Sequence, residues 1–281
     1  MTSWTELGEG VRVRPLTEGV WIHYTEKDGV GANGLVVTTD SGTVLVDTGW
    51  NGAQTRQILA WAAEQLKQPV TRAVVTHAHD DRMGGMDVLR EVSIPTTALD
   101  RTAERARAQG WLQPDDLRPT TQEPFEVAGL EAFFPGPAHS PDNLVLWIPR
   151  RRVLFGGCMV KSAGARSLGF VGDAAVDRWP DATRRVLARY GNADWVVPGH
   201  GDPGGRDALE NTLRLAEEAR SASEAGESPG ASPGFREAEP IVAALEQHRT
   251  EHGEYPDSLA QLSPQFTPTG VRPWARNGTD V

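Results

Sequence analysis

What this chain lacks already narrows what it can be. It has 281 residues but one cysteine, Cys158, so no internal disulfide can form and cysteine usage points to no oxidising compartment. No apolar run approaches the roughly 20 residues needed to span a bilayer, which predicts a soluble chain without membrane insertion. Positive charge is scarce, with 28 Lys and Arg against 38 Asp and Glu and a net charge of −10, a balance that argues against nucleic-acid binding. Met1-Thr2-Ser3-Trp4 shows no basic region followed by an apolar one. The expectation is therefore that the protein is not exported or that a leader has been removed from it.

Against this background one stretch stands out, Thr76-His77-Ala78-His79-Asp80-Asp81-Arg82-Met83-Gly84-Gly85. It follows Ala73-Val74-Val75, which reads as the end of a buried strand, and leads into an amphipathic segment from Met86 to Val92. His77, His79 and Asp81 are spaced i, i+2, i+4, so in extended chain they project to one side, where two imidazoles and a carboxylate can converge on a metal. His139, in Pro-Ala-His-Ser, and His200, in Pro-Gly-His-Gly, stand in similar loops. Cys158 follows the apolar run Val153-Leu154-Phe155. Each of these residues sits where a strand runs out. His23 is expected on a sheet surface, and His248 and His252 on a solvated helix near the C-terminus.

In chain order, strands are predicted at Val11–Arg14, Val20–Tyr24, Gly34–Thr38 and Thr43–Asp47, with Thr25 to Asn33 as a hairpin loop. Gln54 to Lys67 and Arg101 to Gln109 read as helices. Ala128 to Phe134, Asn143 to Ile148 and Arg152 to Phe155 read as strands, then Asp181 to Tyr190 as a helix, Asp194 to Val197 as a strand and Arg206 to Arg220 as a last helix. This order predicts two sheets packed face to face with helices outside each, an α/β (α+β) sandwich of four layers, αββα. Residues 1–220 form the expected catalytic domain. Residues 221–234, rich in Ser, Pro and Gly, have linker composition, and 235–281 form a small extension with a predicted helix from Glu239 to Glu251.

Taken together, these residues resemble the metallo-β-lactamase superfamily, and within it the di-zinc class B enzymes of subclass B1. The resemblance covers roughly residues 10–220 and carries several implications. His77, His79 and His139 would hold a first zinc, and Asp81, Cys158 and His200 a second. Other hydrolases of the superfamily, such as thioesterase-like and lactonase-like members, place a second-site histidine after the aspartate; here Arg82 stands there and Cys158 supplies the ligand. Asp47 and Arg82 would support the metal loop from behind. Two zinc ions per chain would activate water for attack on a β-lactam carbonyl, with Asp81 orienting it and Lys161, one of three lysines in the chain, binding the substrate carboxylate. Trp50, with Trp21, would floor the substrate site, and Glu26 to Ala32 would be a mobile flap.

One departure from the family pattern is Phe170, in Ser167–Asp173, where many B1 enzymes have an asparagine that helps bind the substrate carbonyl. The implied function is zinc-dependent hydrolysis of penicillins, cephalosporins and carbapenems, conferring antibiotic resistance, by a monomer whose relatives act in the periplasm when exported. The Ser-x-x-Lys of serine-based penicillin hydrolysis is absent. Two rival readings are a superfamily hydrolase of thioesters, lactones or phosphoesters, and a zinc-binding module whose C-terminal extension recruits a partner.

Overall fold

Alternating apolar residues along the strands dictate a two-sided sheet. Val44 and Val46 pack into one core and Leu45 into another, as do Phe155 and Leu154. A strand apolar on both faces must be covered on both, and two such sheets back to back require helices on their outer faces. The computed structural model describes residues 3–226 and has this architecture. The linker beyond residue 226, the helix predicted from Glu239 to Glu251, and His248 and His252 lie outside the described residues.

The first sheet has eight strands in sequence order: β1 (Thr5–Gly8), β2 (Val11–Thr17), β3 (Val20–Lys27), β4 (Val30–Thr39), β5 (Gly42–Val46), β6 (Val70–Val74), β7 (Thr96–Leu99) and β8 (Asp116–Arg118). Pairing is antiparallel as far as β5 and parallel from β5 to β8. The second sheet, in the order β13-β12-β11-β10-β9, comprises β9 (Phe125–Val127), β10 (Leu130–Phe133), β11 (Val145–Ile148), β12 (Val153–Gly157) and β13 (Trp195–Pro198). Its single parallel pair is β12 with β13.

Between the sheets lie Ile22, Leu35, Leu130, Leu146 and Phe155, all fully buried. Each such side chain contributes about 1.5–3 kcal/mol by leaving water. Outside the first sheet, α1 (Gly52–Gln65), α3 (Met86–Glu91) and α4 (Asp100–Ala108) pack through Ile58, Leu89 and Ala106. Outside the second, α5 (Trp179–Tyr190) and α6 (Arg206–Glu224) pack through Trp179, Val186 and Leu209. Helix α1 is capped by Asn51, whose side chain accepts the Gln54 N–H at 2.9 Å. Helix α6 continues through Ser221 to Glu224, beyond the expected stop at Arg220.

Three expectations are corrected. Thr25 to Asn33 is not a loop: β3 and β4 stay paired out to Lys27 and Val30, so Glu26 to Ala32, the expected flap, is a β-hairpin. Asp28 and Gly29, both at positive φ, make a two-residue turn whose twist matches the strands. His23 does not face a sheet surface. It is buried, with Nε2 3.1 Å from the Val46 carbonyl, and the missing side chain of Gly34 gives its ring room. Burial lowers its pKa to about 4, so the ring is neutral at pH 7. Finally, Asp81 does not lie in extended chain. Asp80 to Met83 form a helical turn, α2, with His79 at its N-cap, and this turn brings Asp81 back beside the histidines.

Candidate metal centre

Parallel pairing places the carboxyl ends of neighbouring strands side by side, and each sheet delivers its polar loops there. Asp47 follows β5 and Thr76-His77 follows β6; Cys158 follows β12 and His200 follows β13. His139 lies in the connection from β10 to β11. Backbone bonds stitch the two sheets at this edge: Leu144 N–H donates to the Thr76 carbonyl and Asn33 N–H to the Gly199 carbonyl, at 2.9 and 2.8 Å. Gly199 passes so close to Cys158 that a Cβ there would sit 2.8 Å from Sγ.

Three imidazoles form one half of the centre. His79 Nδ1 is 3.1 Å from His77 Nε2 and 3.2 Å from His139 Nε2, with the three rings mutually edge-on. His77 Nδ1–H donates to Thr76 Oγ1 at 3.1 Å, and that hydroxyl donates to Asp47 Oδ2 at 2.9 Å. The chain of hydrogen bonds leaves His77 Nε2 unprotonated and facing its neighbours. Burial, reinforced by the neighbouring rings, lowers the pKa of His77 and His139 well below the ordinary histidine value. Asp47 is itself held at positive φ, and the Thr76 backbone N–H donates to its Oδ1 at 2.8 Å. Burial raises the Asp47 carboxyl to about 6 despite the opposing pull of Arg82.

Asp81, Cys158 and His200 form the other half. His200 Nε2 is 3.3 Å from Asp81 Oδ2 and 3.2 Å from Cys158 Sγ, and Sγ is 3.6 Å from Asp81 Oδ2. His200 Nδ1–H donates to the Gly31 carbonyl at 2.7 Å, which turns Nε2 inward. Beneath this half lies Arg82, fully buried. Its guanidinium meets Asp81 at 2.7 Å, Asp47 at 3.3 Å, Cys158 Sγ at 3.1 Å and the carbonyls of Asn33 and Gly199 at 2.6 and 3.0 Å. Burial opposes ionisation of Asp81, but Arg82 and His200 outweigh it and hold the carboxyl well below its usual range. Burial also disfavours charge on His200, yet Cys158 and Asp81 raise it to about 10.

The donor sets fit zinc. A tetrahedral site with bonds of about 2.0–2.3 Å has ligand-to-ligand edges of about 3.3–3.7 Å. The nitrogen, oxygen and sulfur separations in the two halves, 3.1 to 3.6 Å, lie within about 0.4 Å of those edges. His77, His79 and Asp81 also form a close group, as do His77, His139 and Cys158, so the two halves adjoin.

A cavity of about 650 Å³ opens over both halves, walled by Trp50, Trp111, Val30 and Phe170 as well as by His79, Asp81, His139, Cys158 and His200. Trp21 does not line it and packs instead on Trp61, with ring centroids 5.9 Å apart. Lys161 is buried, with Nζ 5.3 Å from the Trp179 ring centroid, and is not part of the cavity wall. Burial lowers its pKa to about 8. Phe170 is 63% exposed and sets its ring edge-on to His79 at 5.8 Å.

Some contributors had no mark in the sequence. Asn33, read as a loop residue, donates its side-chain amide to the carbonyls of Pro198 and Gly201 at 3.0 and 2.7 Å, fixing the turn that carries His200. Asp173 Oδ2 is 3.0 Å from His79 Nε2, and Arg105 pairs with both Asp173 and Asp142. No local spacing links residues 105, 142 and 173.

Comparison with known proteins gives a consistent result. Residues 28–200 match the Metallo-beta-lactamase superfamily. The chain is 41% identical over 210 residues to a metallo-beta-lactamase type 2 of Bacillus cereus, an alignment spanning 73% of this chain and 82% of that protein. The structure resembles that of a metallo-beta-lactamase from Erythrobacter litoralis, with a TM-score of 0.73, 36% identity, and coverage of 77% of this chain and 100% of that one. It also resembles the mono-zinc form of FIM-1 from Pseudomonas aeruginosa, with a TM-score of 0.72, 38% identity, and coverage of 75% and 96%.

Proposed function

This chain belongs to the metallo-beta-lactamase superfamily, and from that premise we infer that it hydrolyses the amide bond of β-lactam antibiotics and so confers resistance to them. The finer reading is a subclass B1 enzyme holding two zinc ions per chain. The observation that carries it is Cys158 beside Asp81 and His200, a complete second donor set adjoining three imidazoles. His77, His79 and His139 would hold one ion, and Asp81, Cys158 and His200 the other. Zinc there supplies Lewis acidity and lowers the pKa of water to about 7.

The chain's own residues then divide the remaining work. Asp81, kept ionised by Arg82, accepts a hydrogen bond from the attacking water and aims it at the carbonyl carbon. As the carbon–nitrogen bond breaks, the electron pair goes to the ring nitrogen, which takes up a proton. Asp47 and Arg82 hold the ligand loop from behind. Lys161, whose Nζ lies 5.3 Å from the Trp179 ring centroid, is the cation we assign to the substrate carboxylate. Trp50 offers an apolar wall to the rest of the substrate. Phe170 has no side-chain hydrogen to donate to the carbonyl oxygen, so it would leave stabilisation of the developing charge to the Lewis acidity that zinc would supply. We take the enzyme to act as a monomer.

The test is hydrolysis of a carbapenem and a cephalosporin by purified protein, with and without chelator, alongside a zinc count and light scattering for mass. Turnover abolished by chelator and restored by zinc, at nearly two ions per chain, is the expected result. Two bound ions with no β-lactam turnover would instead move the assignment to thioesters or lactones.

A further inference from the structure

We propose that Arg105 is a positioning residue for the three-histidine half of the centre, acting on His79 through two carboxylates. The proposal rests on the metal reading above and adds to it a residue more than twenty positions beyond the ligand loop, on another element. Arg105 lies in the last turn of α4. One arm of its guanidinium pairs with Asp173, whose Oδ2 is 3.0 Å from His79 Nε2. Its Nε is 3.1 Å from Oδ1 of the fully buried Asp142, whose Oδ2 accepts the Ala78 N–H at 2.9 Å. One turn further along the same helix end, the Gln109 side-chain amide donates to the Ala78 carbonyl at 3.3 Å. The end of α4 therefore grips both peptide groups of the residue between His77 and His79, as well as the His79 ring.

This geometry has a chemical consequence. To offer a metal the lone pair of Nδ1, the nitrogen that faces His77 and His139, His79 must carry its ring proton on Nε2, where it donates to Asp173. Asp173 can enforce that tautomer only while it is held in place, and Arg105 is its partner besides His79. The same contact anchors the loop bearing Phe170, three residues before Asp173, which packs on the His79 ring. Bonds of this outer kind typically change metal affinity 10–100-fold. A merely structural ion pair would affect melting but neither the His79 tautomer nor zinc affinity.

The experiment uses the whole chain and two readouts. Imidazole nitrogen NMR of zinc-free protein reports the His79 tautomer, and zinc titration against a competing chelator reports affinity. Arg105→Ala is expected to turn a single Nε2–H tautomer into a mixture and to weaken zinc binding in the three-histidine half about tenfold. Asp173→Ala should do at least as much, and the double variant should lose less than the two single losses multiplied together. Since Arg105→Ala strands the buried Asp142, Arg105→Lys serves as the second variant: it keeps a charge near Asp142, cannot span both carboxylates, and should show a smaller shift in the same direction. Wild-type tautomer and zinc affinity in either folded Arg105 variant, or strictly multiplicative losses, would overturn the proposal. Wild-type protein that keeps the Nε2–H tautomer yet takes up no zinc would overturn the metal reading, and with it the purpose given to Arg105.

Discussion

The two halves of the centre are built on opposite electrostatics. In the half made by His77, His79 and His139, burial strips charge from His77 and His139, leaving neutral nitrogens that can meet a metal without displacing a proton. In the half made by Asp81, Cys158 and His200, charge is kept and compensated: Arg82 lies against the aspartate and the sulfur, and His200 is raised to about 10. One half is organised by desolvation and the other by a buried cation. Asp47 joins them, accepting from Thr76 behind the histidines and pairing with Arg82 behind the other half. A site prepared in this way should respond to mutation and to pH differently in its two parts.

Removing the cation should have the largest effect. Arg82→Met leaves Asp47 and Asp81 buried without their partner, a change that costs about 3–5 kcal/mol. Thermal melting of zinc-free protein should show that loss, and added zinc should recover part of it by supplying positive charge to Asp81. A variant as stable as wild type would mean that the second half is not held by Arg82. Next in size, Cys158→Ser should reduce the zinc count from two to one and cut turnover by about 100-fold or more, at least the upper end of what outer contacts achieve, with the fold intact by circular dichroism. Full activity with one zinc would remove the second half from the chemistry.

The pH response separates the halves more finely. Below pH 10 a proton on His200 must leave before its Nε2 can bind metal, so affinity in that half should rise with pH, by about tenfold per unit for one displaced proton. His77 and His139 are already neutral at pH 7 and have no proton to lose, so affinity in their half should rise less steeply with pH. Zinc titrations at several pH values read both slopes, and equal slopes would erase the contrast. The smallest effect is expected at the rim. Phe170→Asn supplies a hydrogen-bond donor where the ring now offers none, and a net hydrogen bond of about 0.5–1.5 kcal/mol corresponds to a gain of about two- to tenfold in kcat/KM. A loss instead would show that the apolar face of Phe170 matters more than a donor.

Much of the fold was legible because its signals are local. Alternation along Thr43–Val46 and Val153–Phe155 is enough to imply sheets covered on both faces, and the polar residues after those runs mark strand ends. The Asp28-Gly29 turn was readable in principle, since a two-residue turn with both positions at positive φ favours this pair, yet the glycines around it suggested a looser loop. His23 misled because a histidine in a strand usually faces water; the space left by Gly34 on the neighbouring strand is what lets it turn inward. Asp81 was assigned to the site for a reason that does not hold. An extended chain was expected to align it with the histidines, whereas a helical turn does so.

By itself the sequence determined the donor inventory, two imidazoles and a carboxylate in one loop with His139, Cys158 and His200 at other strand ends, because ligand chemistry belongs to residue type. It also determined the layered fold, because hydrophobic period decides which faces must be covered. Only the tertiary structure decided which nitrogen of each histidine faces its neighbours, that Arg82 serves two carboxylates and a sulfur, and that Arg105, Asp142 and Asp173 converge behind His79. Those contacts join residues far apart in the chain, and the packing of two sheets and a helix end sets their partners, so no local pattern could encode them.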